Sequence, residues 1–283
     1  MQLIDDIGIR PIYEALKNDK YDRGAADYTP SSLNQPAYQR RMMDEYDSIE
    51  NASEKIFALL GTSVHHMVEL AAEFNEEYVS ERRYYGTIET DYGDKKVGAQ
   101  IDLYNTDTNA IYDMKVTSAY SVMKGEPKSD WVAQLNVCRW CVNADTGNLP
   151  ESLTIVAILR DWSKLQALRD RSYPRQQVVK IPVPLWTLEK TSNWIRSRIN
   201  LIERYLSQPL TDCAPCTDEE VWAKPTKWAV MKSGKTRAIK LYDNDYDAAN
   251  HAKGEGNLYV EKRQGERVRC QAYCPVSQHC KFK

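Results

Sequence analysis

The sequence predicts an α/β fold: a mixed central sheet flanked by helices, with a cysteine-rich C-terminal extension. Three observations predict it. A long helical apolar pattern comes first, three strand-length segments with turns between them follow, and helix and strand patterns then alternate. The 283 residues suffice for one large domain with an appendage. Hydrophobic residues make up 42% and charged residues 28%, as in ordinary globular proteins, and the net charge is −2. Any nucleic-acid footprint must therefore be local.

Each element has its own signal. Residues 1–53 read as an N-terminal helical segment. Thr29-Pro30-Ser31-Ser32 reads as a turn and cap, with Ser31 or Ser32 offering the capping oxygen. Residues 54–79 read as one helix, because Ile56, Leu59, Leu60, Val64, Met67, Val68 and Ala71 recur at spacings of three and four. Gly61 interrupts it, either to allow close packing or to mark a helix start. Strands are expected at 83–90 and 97–103, split by a Gly93-Asp94 turn, and at 110–116 after the turn-rich run from Asn105 to Asn109. A helix at 130–142 and a buried strand at 153–159 follow. A strand at 177–183 precedes an amphipathic helix at 185–206, capped near Thr187. Residues 54–207 thus form the core, and 208–283 a region with a basic hairpin and clustered cysteines.

The chemistry concentrates around Asp102 and Asp113-Met114-Lys115. Strand residues two apart share a face, so Asp113 and Lys115 can line one cleft. Pairing of the two strands as a hairpin would bring Asp102 within reach of Asp113. Two converging carboxylates suit a hard divalent cation, and a lysine beside them can position a water at a phosphodiester. On the preceding helix, His65 and Glu69 stand at i, i+4. An imidazole added to two carboxylates suits Mn²⁺ as well as Mg²⁺. Gln134, on the helix that follows, can hold a phosphate or the attacking water.

Gly61, His65 and Glu69, then Asp102, then Asp113 and Lys115, then Gln134, together resemble the RecB-like branch of the PD-(D/E)XK nuclease superfamily. The resemblance spans roughly residues 55–160. It implies a restriction-endonuclease-like core and a metal-dependent DNA nuclease, an exonuclease rather than an endonuclease, of the kind that serves recombination, repair or phage DNA metabolism. It implies His65, Asp102, Asp113 and the Met114 carbonyl as metal ligands, Lys115 as the group that orients the water, and Glu69 as an accessory acid. Two positions depart from the pattern: Ile101 stands where proline is usual, and Cys138 where an aromatic residue is expected after Gln134.

Seven cysteines are present, and Cys270, Cys274 and Cys280 fall within eleven residues. Such spacing in a reducing compartment points to a metal. Cys216 is the best fourth ligand, with Cys213 in reserve. A four-thiolate set takes structural zinc or an iron–sulfur cluster. Relatives in the RecB-like branch carry one distant cysteine and three clustered C-terminal ones around a [4Fe–4S] cluster, and the tail here is similar; that cluster is the favoured occupant and zinc the alternative. In those families the distant cysteine precedes the core. Here it follows, as in phage-type exonucleases. Cys138 and Cys141 read as helix core residues.

Residues 221–242 carry Lys224, Lys227, Lys232, Lys235, Arg237 and Lys240 without an acid, interleaved with Trp222, Trp228 and Tyr242. Ser233-Gly234-Lys235 reads as a hairpin turn. Lys227, Lys232, Lys235 and Arg237 are the candidate phosphate contacts. A solvated hairpin with its aromatics in the core is the competing reading. DNA is the expected partner, with a recombination or single-strand-annealing protein as a second and an oligomer compatible with the sequence. No apolar run reaches membrane-helix length and no signal-like start is present, so the expected compartment is the cytoplasm. A non-catalytic DNA-binding module on a nuclease fold is the alternative. The retained charged positions stand against it.

Overall fold

The computed structural model describes residues 2–19, 22–123, 125–253 and 256–283. Along the chain these form β1 (Gln2–Ile4), α1 (Arg10–Asn18), α2 (Pro30–Asn34), α3 (Ala37–Glu45), β2 (Ile49–Asn51), α4 (Ile56–Ala72), β3 (Tyr78–Thr90), β4 (Gly93–Asn105), β5 (Ala110–Thr117) and α5 (Ser129–Thr146). The second half holds β6 (Ser152–Leu159), α6 (Lys164–Arg169), β7 (Val178–Pro182), α7 (Leu188–Leu206), β8 (Lys227–Lys232), β9 (Lys240–Tyr242), α8 (Asp245–Ala252), β10 (Leu258–Arg263) and α9 (Val268–Ala272). The chain forms two compact units, one of Met1–Gln35 with Ile49–Pro209, the other of Pro36–Ser48 with Leu210–Lys283. The N-terminal segment is thus shared between them.

The first unit is a mixed α/β structure. Its five-stranded sheet runs β3-β4-β5-β6-β7, parallel between β5 and β6 and antiparallel elsewhere. Helices α4, α5 and α7 pack against it. The apolar run of β6 fills the core, with Leu153, Ile155, Ala157 and Leu159 all buried, as a central strand demands. The long hairpin β3–β4 closes through Asp91-Tyr92, so Gly93 opens the second strand instead of forming the turn. Gly93 has φ of +84°, a conformation natural to glycine.

Several local expectations are corrected. Thr29, not Ser31 or Ser32, caps α2: its Oγ1 accepts from Ser32 N at 3.2 Å, and Ser32 Oγ accepts from Thr29 N at 2.8 Å. Pro30 explains the placement, since its fixed φ and missing N–H suit the first helical position. The helix expected at 54–79 ends at Ala72. The Asn75 side chain takes the Ala71 carbonyl at 2.9 Å, and the chain enters β3 at Tyr78. Gly61 lies inside α4 with open space where a Cβ would stand, so it neither starts the helix nor serves close packing. Thr187 does cap α7, accepting from Lys190 N at 3.1 Å.

The second unit holds α3 and a three-stranded antiparallel sheet, β10-β8-β9, covered by α8. Tyr38 of α3 meets Phe282 edge to face, and Tyr46 stacks on His279, so the Pro36–Ser48 segment is bound to the C-terminal tail by aromatic contacts.

Close approach of α5 to β3 depends on Gly86. A Cβ there would lie 2.6 Å from Trp140 Cη2 and 2.9 Å from Ala144 Cβ. Gly86→Ala should destabilise the protein by about 1–3 kcal/mol. Denaturant titration measures this, and an unchanged midpoint would show that α5 does not press on β3 there.

Candidate metal centre

The centre forms where the β4–β5 ladder ends. Its last paired residues are Leu103 and Tyr112, so Asp102 and Asp113 occupy the next register position. There the Asp102 side chain replaces the ladder: its Oδ2 accepts from Met114 N at 2.7 Å. The carbonyl of the same Met114 lies 3.2 Å from His65 Nε2 on α4. Asp113 Oδ1 accepts from Gln134 Nε2 of α5 at 2.8 Å. The buried Asp113 Oδ2 forms an ion pair with Lys115 Nζ at 2.6 Å.

On its other edge β4 faces β3. Ser80 pairs with Leu103 and Arg82 with Ile101, which puts Glu81 at the register position of Asp102. His65 Nδ1 lies 3.3 Å from Glu81 Oε1 and 3.6 Å from Asp102 Oδ1. His65, Glu81 and Asp102 each offer a ligand atom within 4.8 Å of the others.

The structure therefore brings together His65, Asp102, Asp113, Met114, Lys115 and Gln134. It does not bring in Glu69, which lies on the surface 3.5 Å from His66 Nδ1. Glu81 takes the position beside the histidine. Sequence reading missed it because it sits in the polar run Ser80-Glu81-Arg82-Arg83, ahead of the apolar strand pattern. The signal that finds it is arithmetic: a two-residue turn at Asp91-Tyr92 pairs Thr90 with Gly93, and the same register carried back sets Glu81 against Asp102.

Electrostatics follow from these contacts. His65 stands between two groups that only accept, the Glu81 carboxylate and the Met114 carbonyl, so both ring nitrogens need a proton. The Glu81 hydrogen bond is the largest influence; burial opposes it, Asp102 adds to it, and the pKa rises to about 9. Burial and then the nearby Asp113 charge push Asp102 up to about 7, against the pull of His65, Lys115 and the Met114 N–H. Burial works against the Lys115 ammonium, but Asp113 and Asp102 outweigh it and its pKa rises. For Glu81, burial is offset by the His65 and Gln100 hydrogen bonds, and its pKa falls.

These donors fit a divalent cation. His65, Glu81 and Asp102 offer ligand atoms close enough to share one ion, and the Met114 carbonyl lies beside His65 Nε2. In the second unit the four cysteines Cys216, Cys270, Cys274 and Cys280 influence one another's thiols. Burial and then Glu220 push Cys216 up to about 12, and burial raises Cys270 and Cys274. Among the described residues no three thiol sulfurs lie within 4.8 Å of one another. Cys213 is buried. Cys138 and Cys141 are buried in α5, and the Cys141 thiol points at the Val97 carbonyl, 3.6 Å away.

The basic hairpin is shorter than expected: β9 spans only Lys240–Tyr242, and residues 233–239 form the connection. Acids outside the window reach two of its lysines, Asp243 at Lys227 and Glu266 at Lys224. Lys232, Lys235 and Arg237 remain exposed. Tyr242 is turned to α8, where its hydroxyl meets His251 Nδ1 at 2.7 Å.

No protein family matches the chain, and no curated protein matches it. Among solved structures, the crystal structure of SSO0001 is similar at 18% identity and a TM-score of 0.46, over 67% of this chain and 83% of that one. An alkaline exonuclease from Laribacter hongkongensis is similar at 15% identity and a TM-score of 0.30, over 62% of this chain and 91% of that one. At these TM-scores any functional reading rests on the residues of the site. No helix among the described residues is long and apolar enough to cross a membrane.

The raised Asp102 pKa has a stability consequence. Its charged form is disfavoured by the fold, so the cost is absent below the ordinary value of 3.8, grows above it and is complete above about 7. Asp102→Asn should therefore stabilise the metal-free protein by about 1 kcal/mol above pH 7, since the amide oxygen still serves the Met114 N–H. The gain should fade as pH drops towards 3.8. Thermal melts across that range decide it, and a pH-independent difference would refute the assignment.

Proposed function

We propose that this chain is a divalent-metal-dependent deoxyribonuclease of the PD-(D/E)XK class, RecB-like branch, acting as an exonuclease in DNA recombination, repair or phage DNA metabolism. One observation carries the reading: Asp102, Asp113 and the Met114 peptide converge where the β4–β5 ladder ends, with Lys115 against Asp113 and His65 against the Met114 carbonyl.

His65, Asp102, Asp113 and the Met114 carbonyl would hold Mg²⁺ or Mn²⁺. Such a cation lowers the pKa of a water and offsets charge on a scissile phosphate. The chain's own groups do the rest. Lys115 keeps its charge and so donates hydrogen bonds, which orients a water or an anionic phosphate oxygen. Gln134 fixes Asp113 through Oδ1, and Oδ2 faces the Lys115 ammonium. Exposed Lys232, Lys235 and Arg237 would contact DNA phosphates, while Lys227 is already paired with Asp243 and contributes less. Cys216, Cys270, Cys274 and Cys280 would hold a structural [4Fe–4S] cluster, and zinc is the other occupant such a set accepts.

Degradation of end-labelled single- and double-stranded DNA with Mg²⁺, Mn²⁺ or EDTA tests the reading. Asp113→Ala should abolish hydrolysis. Lys115→Ala should lower it by about 10²–10⁴-fold. Full activity in both variants would exclude this centre, and the position of the retained label gives the polarity. Cys274→Ser should lower both iron content and melting temperature. Undiminished metal in that variant would remove the cysteine assignment.

A further inference from the structure

We propose that Glu81 is a positioning residue: it fixes the His65 ring so that Nε2 faces the divalent cation beside the Met114 carbonyl, while Gln100 and Arg83 hold Glu81 in turn. The inference rests on the metal-dependent reading above and adds a residue outside the ligand set given there.

The backbone supplies the first reason. Glu81 has φ of +50°, although it lies within a 13-residue strand, three residues from its start. A residue with a side chain is costly there, and such outliers persist only where the surroundings over-determine them. The ladder is interrupted at this one place: residues 80 and 82 are paired with β4 and 81 is not. The interruption falls at the register position of Asp102.

The contacts supply the second. Glu81 Oε1 faces His65 Nδ1 at 3.3 Å, and Oε2 accepts from Gln100 Nε2 at 2.5 Å. The Gln100 oxygen accepts in turn from Arg83 Nη2, which also donates to the Asp22 carbonyl. Both Glu81 oxygens are therefore engaged by protein groups. The imidazole meets Glu81 at Nδ1, where Asp102 Oδ1 also lies 3.6 Å away, and the Met114 carbonyl at Nε2, 3.2 Å away.

That division decides the role. A cation at Nε2 meets the Met114 carbonyl as a co-ligand and leaves the Nδ1–H bond to Glu81 intact. A cation at Nδ1 would break that bond, forgo the carbonyl and turn Glu81 into a ligand beside Asp102, the alternative that the test below separates. A carboxylate accepting from the far nitrogen fixes the ring's tautomer and orientation and makes it a stronger donor. Arg83 and Gln100 hold the carboxylate in the geometry this requires.

The test is Mn²⁺ binding by the full chain, wild type beside Glu81→Gln and Glu81→Gly. The glycine variant guards against misfolding, because glycine adopts positive φ without strain. Titration calorimetry gives affinity. Electron spin-echo spectra of bound Mn²⁺ give the histidine ¹⁴N coupling and, in ¹⁷O-water, the number of bound waters. Both variants should bind about 10–100-fold more weakly, with the ¹⁴N coupling still present at saturation and no water gained. Wild-type affinity in both variants would overturn the role. So would an added bound water, since Glu81 would then be a ligand itself. A wild type that binds no Mn²⁺ overturns the metal reading beneath, which is a separate result from failure at Glu81.

Discussion

Three carboxylates share one row across three adjacent strands, and everything around them answers to that crowding. Glu81, Asp102 and Asp113 sit at matching register positions of β3, β4 and β5. Like charges so close, and partly buried, cannot all stay ionised without cations between them. His65 lies between Glu81 and Asp102, and Lys115 lies against Asp113. The elements that carry these two cations, α4 and β5, are thereby tied to the carboxylate row by charge as well as by apolar packing. Burial first, and then the Asp113 charge, nonetheless push Asp102 up to about 7 against the pull of His65 and Lys115.

A fold selected for stability alone would relieve that arrangement. Replacing a buried ionic cluster by apolar residues is often neutral or favourable, so the cluster's persistence calls for a use. The same economy governs the Met114 peptide. Its N–H and C=O leave the β4 ladder for the Asp102 carboxylate and the His65 ring. Ending a ladder one pair early costs hydrogen bonds, and here the released groups are the ones that converge on the centre. The positive φ at Glu81 on the opposite edge of β4 has the same character: regular pairing yields where side chains must be aimed.

Much of this was legible because local periodicity and the site agree. The order α4, β3-β4-β5, α5, β6 follows from apolar spacing and turn residues, and the spacing of Asp113 and Lys115 follows from the strand repeat. What stayed hidden depends on pairing across the sheet. Glu81 lies outside the apolar part of its strand, so composition gives it no weight, and only the hairpin register places it. Glu69 looked suitable at i, i+4 from His65, but helix spacing alone does not say where a side chain four residues on finds its partner; here that is His66. The basic hairpin was overread for a related reason. Its neutralising acids, Asp243 and Glu266, lie beyond the acid-free stretch and reach back only after folding.

The second unit poses the converse problem, in which sequence clusters what folding must complete. Three cysteines lie close along the tail, and Cys216, proposed to join them, lies more than fifty residues earlier. The intervening chain builds the β10-β8-β9 sheet, and α3 supplies Tyr38, whose hydroxyl is pushed up to about 12 by burial and by the facing cysteines. The Cys216, Cys270 and Cys274 thiols are raised by burial, so without a metal they are neutral and add no charge to the interior. A metal or cluster bound there must displace their protons, and its binding energy becomes folding energy for the unit. The carboxylate row thus stores electrostatic strain that a bound cation would relieve, whereas the thiols proposed as ligands sit neutral and would lose their protons only to a metal.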